Sequence, residues 1–500
     1  MSKIYLYLLI VCLFLCCNIT SGQVFPAENS QLHYTMVGFS FPEKNQAQKY
    51  LIRVAKGKIY DDATLAVQTI LTDSSFTNKK IIRVPDWGQE YTWQVIYQTP
   101  GKGLQKGTLN HFSTRKVPSV DTNVMRLAIR KRNNEYKHNY IFLDGNQALY
   151  DMEGFPVWYP PFLDSAANSI SDLKLTQDGT ITCLYGGNIY EISYSGEVLW
   201  KGPNTGEISG DKTENYHHEF TKLSNGHYMA LGSNYVSWEP PSTDTMACEA
   251  SSRNRDQRMR LPILIEYDKK GKVVWSWKFA DEYNLCDLPY EITDKQLRMP
   301  DPHANAFFFD EKKKVIYVSL KYANQVISIQ YPGKKSTSGR TLQKIGCTYS
   351  GQHCCRISRK GQLYLFNNNS CVEGFHPSIV VMNEKQKTWQ YEFGAAELNM
   401  DAETERMTSK GRGGAGGSVD ELPDGSFFVS LCSPLSGLYI IGQDKTVRWR
   451  AIPQRYESAG GTWRHALQYR ASMITSQSDF ERMVWYDPKK RIGKSLTFTQ

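Results

Sequence analysis

After the N-terminal run Ile4–Cys17 the sequence has no apolar stretch long enough to cross a bilayer, which excludes a helical membrane protein. It has no CxxC pair, so a ribbon- or finger-type zinc site is excluded. There is no Walker loop and no HExxH, which removes the commonest nucleotide and metalloprotease signatures. Gly411-Arg412-Gly413-Gly414-Ala415-Gly416 spells GxGxxG, but it follows a polar stretch and leads to a turn, not from a strand into a helix. The net charge of +9 is spread along the chain, and runs such as Lys312-Lys313-Lys314 sit in turns, so nucleic acid is not a partner.

What is present is strand-forming. Aromatics make up 12% of the 500 residues, with 30 Tyr and 11 Trp, a globular composition long enough for two or more domains. Lys3, the apolar run and the small residues Thr20, Ser21 and Gly22 read as a secretory signal over 1–22, so the expected location is periplasmic or secreted. Cys16 and Cys17 raise lipoprotein anchoring as a second route, which Leu15 and Cys16 disfavour. Export permits disulfides, and proximity suggests Cys248 with Cys286 and Cys347 with Cys354 or Cys355.

From 23 to 124 short strand-like runs alternate with turn signals. They are Leu51–Ala55, Thr64–Gln68, Ile81–Val84 and Tyr91–Tyr97, and they predict a small N-terminal β-sandwich of fibronectin or immunoglobulin type. The basic stretch Arg126–His138 reads as the junction to a second domain, 125–500. There a strand ending in Trp recurs at Trp158, Trp200, Trp275, Trp389 and Trp449. A tight turn recurs at Asp178-Gly179, Asn225-Gly226, Lys360-Gly361 and Asp424-Gly425. Four strands per unit in series predict an all-β chain: a six-bladed β-propeller preceded by the sandwich. Tyr235–Met299 reads as a polar insertion decorating one face.

Three histidine stretches occupy one place in this repeat. His217-His218 precede the Asn225-Gly226 turn, His303 opens His303–Asp310, and His353 opens the strand before Lys360-Gly361. In a propeller, equivalent positions lie at one height around the axis, so these imidazoles are expected to meet at the channel mouth. Each needs a hydrogen-bond partner there, which is costly for packing alone. A histidine so placed suits a nucleophile or general base. Three such ligands would also suffice for zinc, the alternative use of the cluster.

His217-His218-Glu219-Phe220, Pro302-His303-Ala304-Asn305-Ala306 and Gln352-His353 with Leu365-Phe366-Asn367-Asn368 together resemble the bacterial aryl sulfate sulfotransferase family, in order and spacing, over most of Gln23–Tyr469. The resemblance implies PAPS-independent transfer of a sulfuryl group from a phenolic sulfate ester to a phenol, through a sulfohistidine, without a cofactor or metal. It puts the nucleophile on His353, other catalytic roles on His218 and His303, and substrate-binding roles on His217, Asn305, Ser418 and Tyr469. Where the family carries Arg after the second motif this chain reads Lys321, which keeps the charge and loses the planar fork. Phenolic donor and acceptor are then the partners, with a homodimer left open and no stable membrane insertion. The competing class is a propeller that binds glycans or proteins at its mouth without catalysis.

Overall fold

The computed structural model describes residues 24–161, 170–239, 258–283, 291–293, 296–298, 301–331, 340–346, 349–369, 376–384, 386–394, 416–432 and 437–487. Residues 1–22, expected to be a signal, and Cys248, Cys286, Cys347 and Cys371 lie outside them. The chain is nearly all β, with 7% helix and 51% strand. It divides into two compact units, 1–116 and 117–500.

In the first unit Ser30–Leu32, Asn110–Thr114, Glu90–Thr99, Lys49–Lys56 and Thr69–Ser75 lie side by side in one sheet, with Gly103–Lys106 also on Glu90–Thr99. Met36–Ser40 and Lys79–Arg83 form a second, two-stranded sheet. Phe39, Trp93 and Phe112 are fully or almost fully buried, with the Phe39 and Trp93 rings 5.0 Å apart. The expected strand at Thr64–Gln68 is instead part of a helix, Asp62–Gln68. Asp61 caps it by accepting from the Thr64 N–H at 2.9 Å, and Ala63, Leu65 and Ala66 favour helix over strand.

The second unit contains five four-stranded antiparallel sheets and a sixth sheet of six strands. The Trp-ended runs are the outer fourth strands: Pro156–Trp158, Val198–Lys201, Val273–Lys278, Gln386–Glu392 and Val447–Glu457. Turn chemistry sets the register. Gly179, Gly226, Gly361 and Gly425 have φ of 86°, 80°, 79° and 81°, a region that strains any residue with a Cβ. Each donates its N–H three residues back, to Thr176, Leu223, Ser358 and Leu422, closing the hairpin between first and second strands.

The inner strands are Ile170–Leu175, Phe220–Lys222, Ala304–Asp310, His353–Ile357, Ser418–Glu421 and Ala471–Ile474. Each sheet packs on the next in chain order, and the sixth packs on the first. The first sheet is assembled from both ends of the unit: Ala471–Ile474 pairs antiparallel with Tyr140–Leu143, Leu143 opposite Ala471. Apolar side chains fill the spaces between sheets, as where Trp275 and Trp277 pack with Phe307 and Ile316.

Three expectations need correction. The Arg126–His138 stretch is not a plain junction, because Met125–Lys131 pairs antiparallel with Val447–Glu457. The arms of the Tyr235–Met299 insertion are the long paired strands Tyr228–Ser237 and Arg258–Tyr267, in register from Tyr228–Tyr267 to Ser237–Arg258. Cys354 and Cys355 are buried free thiols, so neither pairs with Cys347. The Cys354 Sγ lies 3.3 Å from the Val419 carbonyl and the Cys355 Sγ 3.8 Å from that of Tyr317, so the two thiols are sunk in different inter-sheet contacts.

Candidate active site

The heads of four consecutive inner strands share a backbone device. Asp172, His218, His303 and Cys354 have φ of 57°, 63°, 50° and 56°. Non-glycine residues are uncommon there, and such strain persists only where surrounding contacts over-determine it. Register shifts fall at three of the heads, between Ser171 and Lys174, Ala304 and Ala306, and His353 and Cys355. An extra residue at a strand end re-aims its neighbours, here toward the middle of the ring of sheets.

The imidazoles meet through Tyr469. Its ring centroid lies 6.1 Å from that of His353 and 5.5 Å from that of His218, and His218 lies 5.4 Å from His303. His353 is 1% exposed; its Nδ1 lies 2.9 Å from Asn368 Nδ2 and 3.3 Å from the Gly351 carbonyl. Its Nε2 is buried without a hydrogen-bond partner among the described residues, as are Tyr469 Oη and Asn305 Oδ1. Burial, reinforced by the positive charges of Lys321 and Arg470, holds His353 well below its ordinary pKa, so it is neutral. Burial, with the nearby His217 and Arg470, does the same to His218. Burial pushes the Tyr469 phenol up.

The other predicted residues separate by what they touch. His217 turns away: its Nε2 is 2.6 Å from Ser233 Oγ, which also accepts from Arg260 Nε at 2.9 Å, and its Nδ1 meets that of His218. His218 is therefore the ring of that pair beside Tyr469 and His303. The His303 N–H donates to Asp301 Oδ1 at 2.7 Å, and its carbonyl accepts from the Lys321 N–H at 3.0 Å. The Lys321 ammonium lies 5.2 Å from the Tyr322 ring, and that ring 4.8 Å from His303. Asn305 donates to the Gln352 carbonyl at 2.8 Å, tying the head of one sheet to the residue before His353. Ser418 is not among the imidazoles. Its Oγ donates to the Ala471 carbonyl at 3.0 Å, and it lines a cavity of about 250 Å³ with Asp172, Lys174, Arg356, Asp420 and Arg470.

Those charges form a buried hub. Glu219, next to His218, accepts from Lys174 at 2.7 Å, Arg356 Nη2 at 2.9 Å and Arg470 Nη1 at 2.7 Å. Asp172 pairs with Lys174 at 2.8 Å and Arg470 at 3.1 Å. Arg470 also donates to the Asn305 carbonyl, and Arg356 to that of Phe307 at 3.2 Å. With Asp420 3.8 Å from Arg356, the hub draws on all six sheets. Burial would raise the Glu219 carboxyl, but Arg356, Arg470 and Lys174 outweigh it and hold it far below the usual carboxylate range. Asp144, buried and accepting from the Asp172 N–H at 2.9 Å, is pushed up to about 7. Of these residues the sequence marks only Glu219 and Arg470, through adjacency to His218 and Tyr469. Among the described residues, no three His, Cys, Asp or Glu are grouped so as to hold a metal ion.

Residues 128–337 match the family model of the arylsulfotransferases (ASST). The matched region carries His217, His218, His303, Asn305 and Lys321, while His353, Ser418 and Tyr469 follow it. No curated protein matches the chain. Similar solved structures include a putative 6-phosphogluconolactonase from Bacteroides uniformis, 12% identical over 71% of this chain and 100% of that one, with a TM-score of 0.33. The periplasmic gluconolactonase of Pseudomonas aeruginosa is 8% identical over 86% and 99%, with a TM-score of 0.28. Likenesses this loose carry no argument about what the chain does.

Proposed function

We propose that the chain is an exported, PAPS-independent aryl sulfotransferase working by two half-reactions on His353. The observation that carries this reading is a buried, neutral imidazole whose Nε2 has no partner among the described residues and whose neighbours are Tyr469, His218 and His303. In the first half-reaction the Nε2 lone pair attacks sulfur, the N–S bond forms as the ester S–O bond breaks, and the phenolate leaves. By analogy with phosphoryl transfer the transition state is loose, with charge on the sulfuryl oxygens. Lys321 meets that charge, while His218 and His303 give hydrogen bonds or a proton to the leaving oxygen. In the second, an acceptor phenol attacks the same sulfur and returns a proton to the group, His218 or His303, that gave one to the first phenolate; the N–S bond breaks, and His353 returns neutral. Asn305 and Tyr469 bind substrate, with His217 supporting His218; Ser418, ahead of the last sheet's Asp424-Gly425 turn, supports the site through its hydrogen bond to the Ala471 carbonyl.

The reading extends to architecture. The six sheets are the blades of a closed propeller over 125–500, with 23–124 as a small β-sandwich, and 1–22 directs export to the periplasm or medium. Supporting the closure are the pairing of Ala471–Ile474 with Tyr140–Leu143 and the unbroken order of sheet contacts. No helix among the described residues is long and apolar enough to cross a membrane.

The test is mass spectrometry of the protein after exposure to an aryl sulfate alone, then to a phenol. One sulfuryl adduct on His353, discharged by the phenol, is expected. No adduct, or transfer undiminished in His353→Ala, ends the proposal.

A further inference from the structure

Asn368 stands where the ring of His353 is controlled. It is 1% exposed, and its amide nitrogen lies 2.8 Å from the Gly351 carbonyl, 3.0 Å from the Gly416 carbonyl and 2.9 Å from His353 Nδ1. Both carbonyls are held by their backbones. Gly351 has φ 58° and donates its N–H to Asn324 Oδ1 at 2.8 Å. Gly417, following Gly416, has φ 105°, and a Cβ there would lie 2.3 Å from the Phe366 ring. A Cβ at Gly416 would lie 2.8 Å from Cys432 Sγ. A Gly-Gly step is therefore what lets the Gly416 carbonyl reach Asn368.

An amide has two hydrogens, and three acceptor positions surround this one. Turning the amide over would aim its oxygen at two carbonyl oxygens. If Nδ1 took an amide hydrogen, one of the carbonyls would give up its Asn368 donor in a buried site, a costly loss. All three demands are met when the two carbonyls take the amide hydrogens and Nδ1 carries its own, directed at Gly351 3.3 Å away. We infer that His353 carries its proton on Nδ1, directed at the Gly351 carbonyl, with Nε2 as the lone pair, and that Asn368, with both amide hydrogens spent on the Gly351 and Gly416 carbonyls, is the positioning residue that holds this frame against the ring.

The inference rests on the reading of His353 as nucleophile and adds a consequence to it. With the proton on Nδ1, attack through Nε2 yields an N-sulfonated ring that is still protonated on Nδ1. Its N–S bond then breaks onto a neutral imidazole, a far better leaving group than an imidazolate. One proton, kept at Gly351, serves both half-reactions without leaving the ring.

The test uses the full-length protein labelled with ¹⁵N-histidine, where imidazole nitrogen shifts report the tautomer and the His353 signal is the one lost in His353→Gln. In the wild type His353 is expected as the Nδ1–H form; an Nε2–H signal overturns the inference without any variant. Asn368→Ala leaves the Gly351 carbonyl to the ring alone, so the Nδ1–H form is expected to persist while the loosened frame lowers kcat by about tenfold or more, with KM within about twofold. Unchanged kcat, or a shift to Nε2–H, in that variant overturns it. Asn368→Asp can give a hydrogen to one carbonyl only when protonated. Its activity should therefore fall as pH rises, where the wild type's does not, and a profile matching the wild type's counts against the inference. Nδ1–H in a wild type without transfer sinks the sulfotransfer reading alone; transfer with an Nε2–H ring sinks only the role of Asn368.

Discussion

His218 and Glu219 are consecutive, as are Tyr469 and Arg470, yet each pair divides between two environments. His218 and Tyr469 belong to a face of rings where, among the described residues, His353 Nε2 and Tyr469 Oη have no partner. Glu219 and Arg470 belong to a hub where the Glu219 and Asp172 carboxylates are met by Lys174, Arg356 or Arg470 within 3.1 Å. Buried polar groups in proteins are nearly always hydrogen-bonded, so a paired cluster is explained by the fold, while an unpaired one asks for a ligand. Glu219 and Arg470 are buried, while His218 and Tyr469 are half-buried. What separates the two regions is that the protein supplies cations to the hub's carboxylates, whereas among the described residues it supplies no partner to His353 Nε2.

The most severe break falls on the ring face. His353→Ala should lower sulfuryl transfer by on the order of a thousandfold or more, while the urea midpoint moves far less than in hub variants. The hub answers in the opposite currency. Arg470→Met leaves Glu219 and Asp172 short of a cation, and about 3–5 kcal/mol of unfolding free energy should go, read by urea titration. Lys321→Ala, at the edge of the ring face, should weaken sulfate-ester turnover by more than about tenfold, with stability near wild type; wild-type kinetics would remove Lys321 from the site.

Acid should separate the two regions without any mutation. His217, His218 and His353 fold with pKa values below their ordinary 6.5, so the unfolded chain binds protons that the folded chain refuses. Their contribution is intact above 6.5 and is lost as pH falls below it. Glu219, held below its ordinary 4.5, contributes above 4.5 and loses that only at more acid pH. Urea midpoints should therefore decline first between 6.5 and 4.5, and a His217→Gln/His218→Gln protein should flatten that stretch of the profile. The smallest effect is Ser418→Ala. Losing one buried hydrogen bond to the Ala471 carbonyl should cost about 1 kcal/mol, with transfer little altered.

The sheets were readable because their determinants are local. A glycine turn at Gly179, Gly226, Gly361 and Gly425, followed two strands later by a Trp-bearing strand, leaves a mark that a linear reading can count. Thr64–Gln68 misled because five residues alternate well enough for either period, and the deciding group, the Asp61 cap, lies outside the run. The convergence of His218 and His303 could be read from their equal place in the repeat. The hub could not. Lys174, Glu219, Arg356 and Arg470 are scattered over nearly 300 residues, each looks like an ordinary surface charge, and only the contact of sheet with sheet brings them together. Asn368 stood in plain view beside Asn367, but nothing local says which carbonyls an asparagine will find.

The antiparallel seam between Ala471–Ile474 and Tyr140–Leu143 has a consequence for when this protein acquires its chemistry. Tyr469 and Arg470 immediately precede that seam, so a chain still being made has neither the aromatic neighbour of His353 nor the cation that anchors Glu219. Reactivity toward sulfate esters would then switch on only once residue 474 has emerged and threaded into place, long after the histidines themselves have been made.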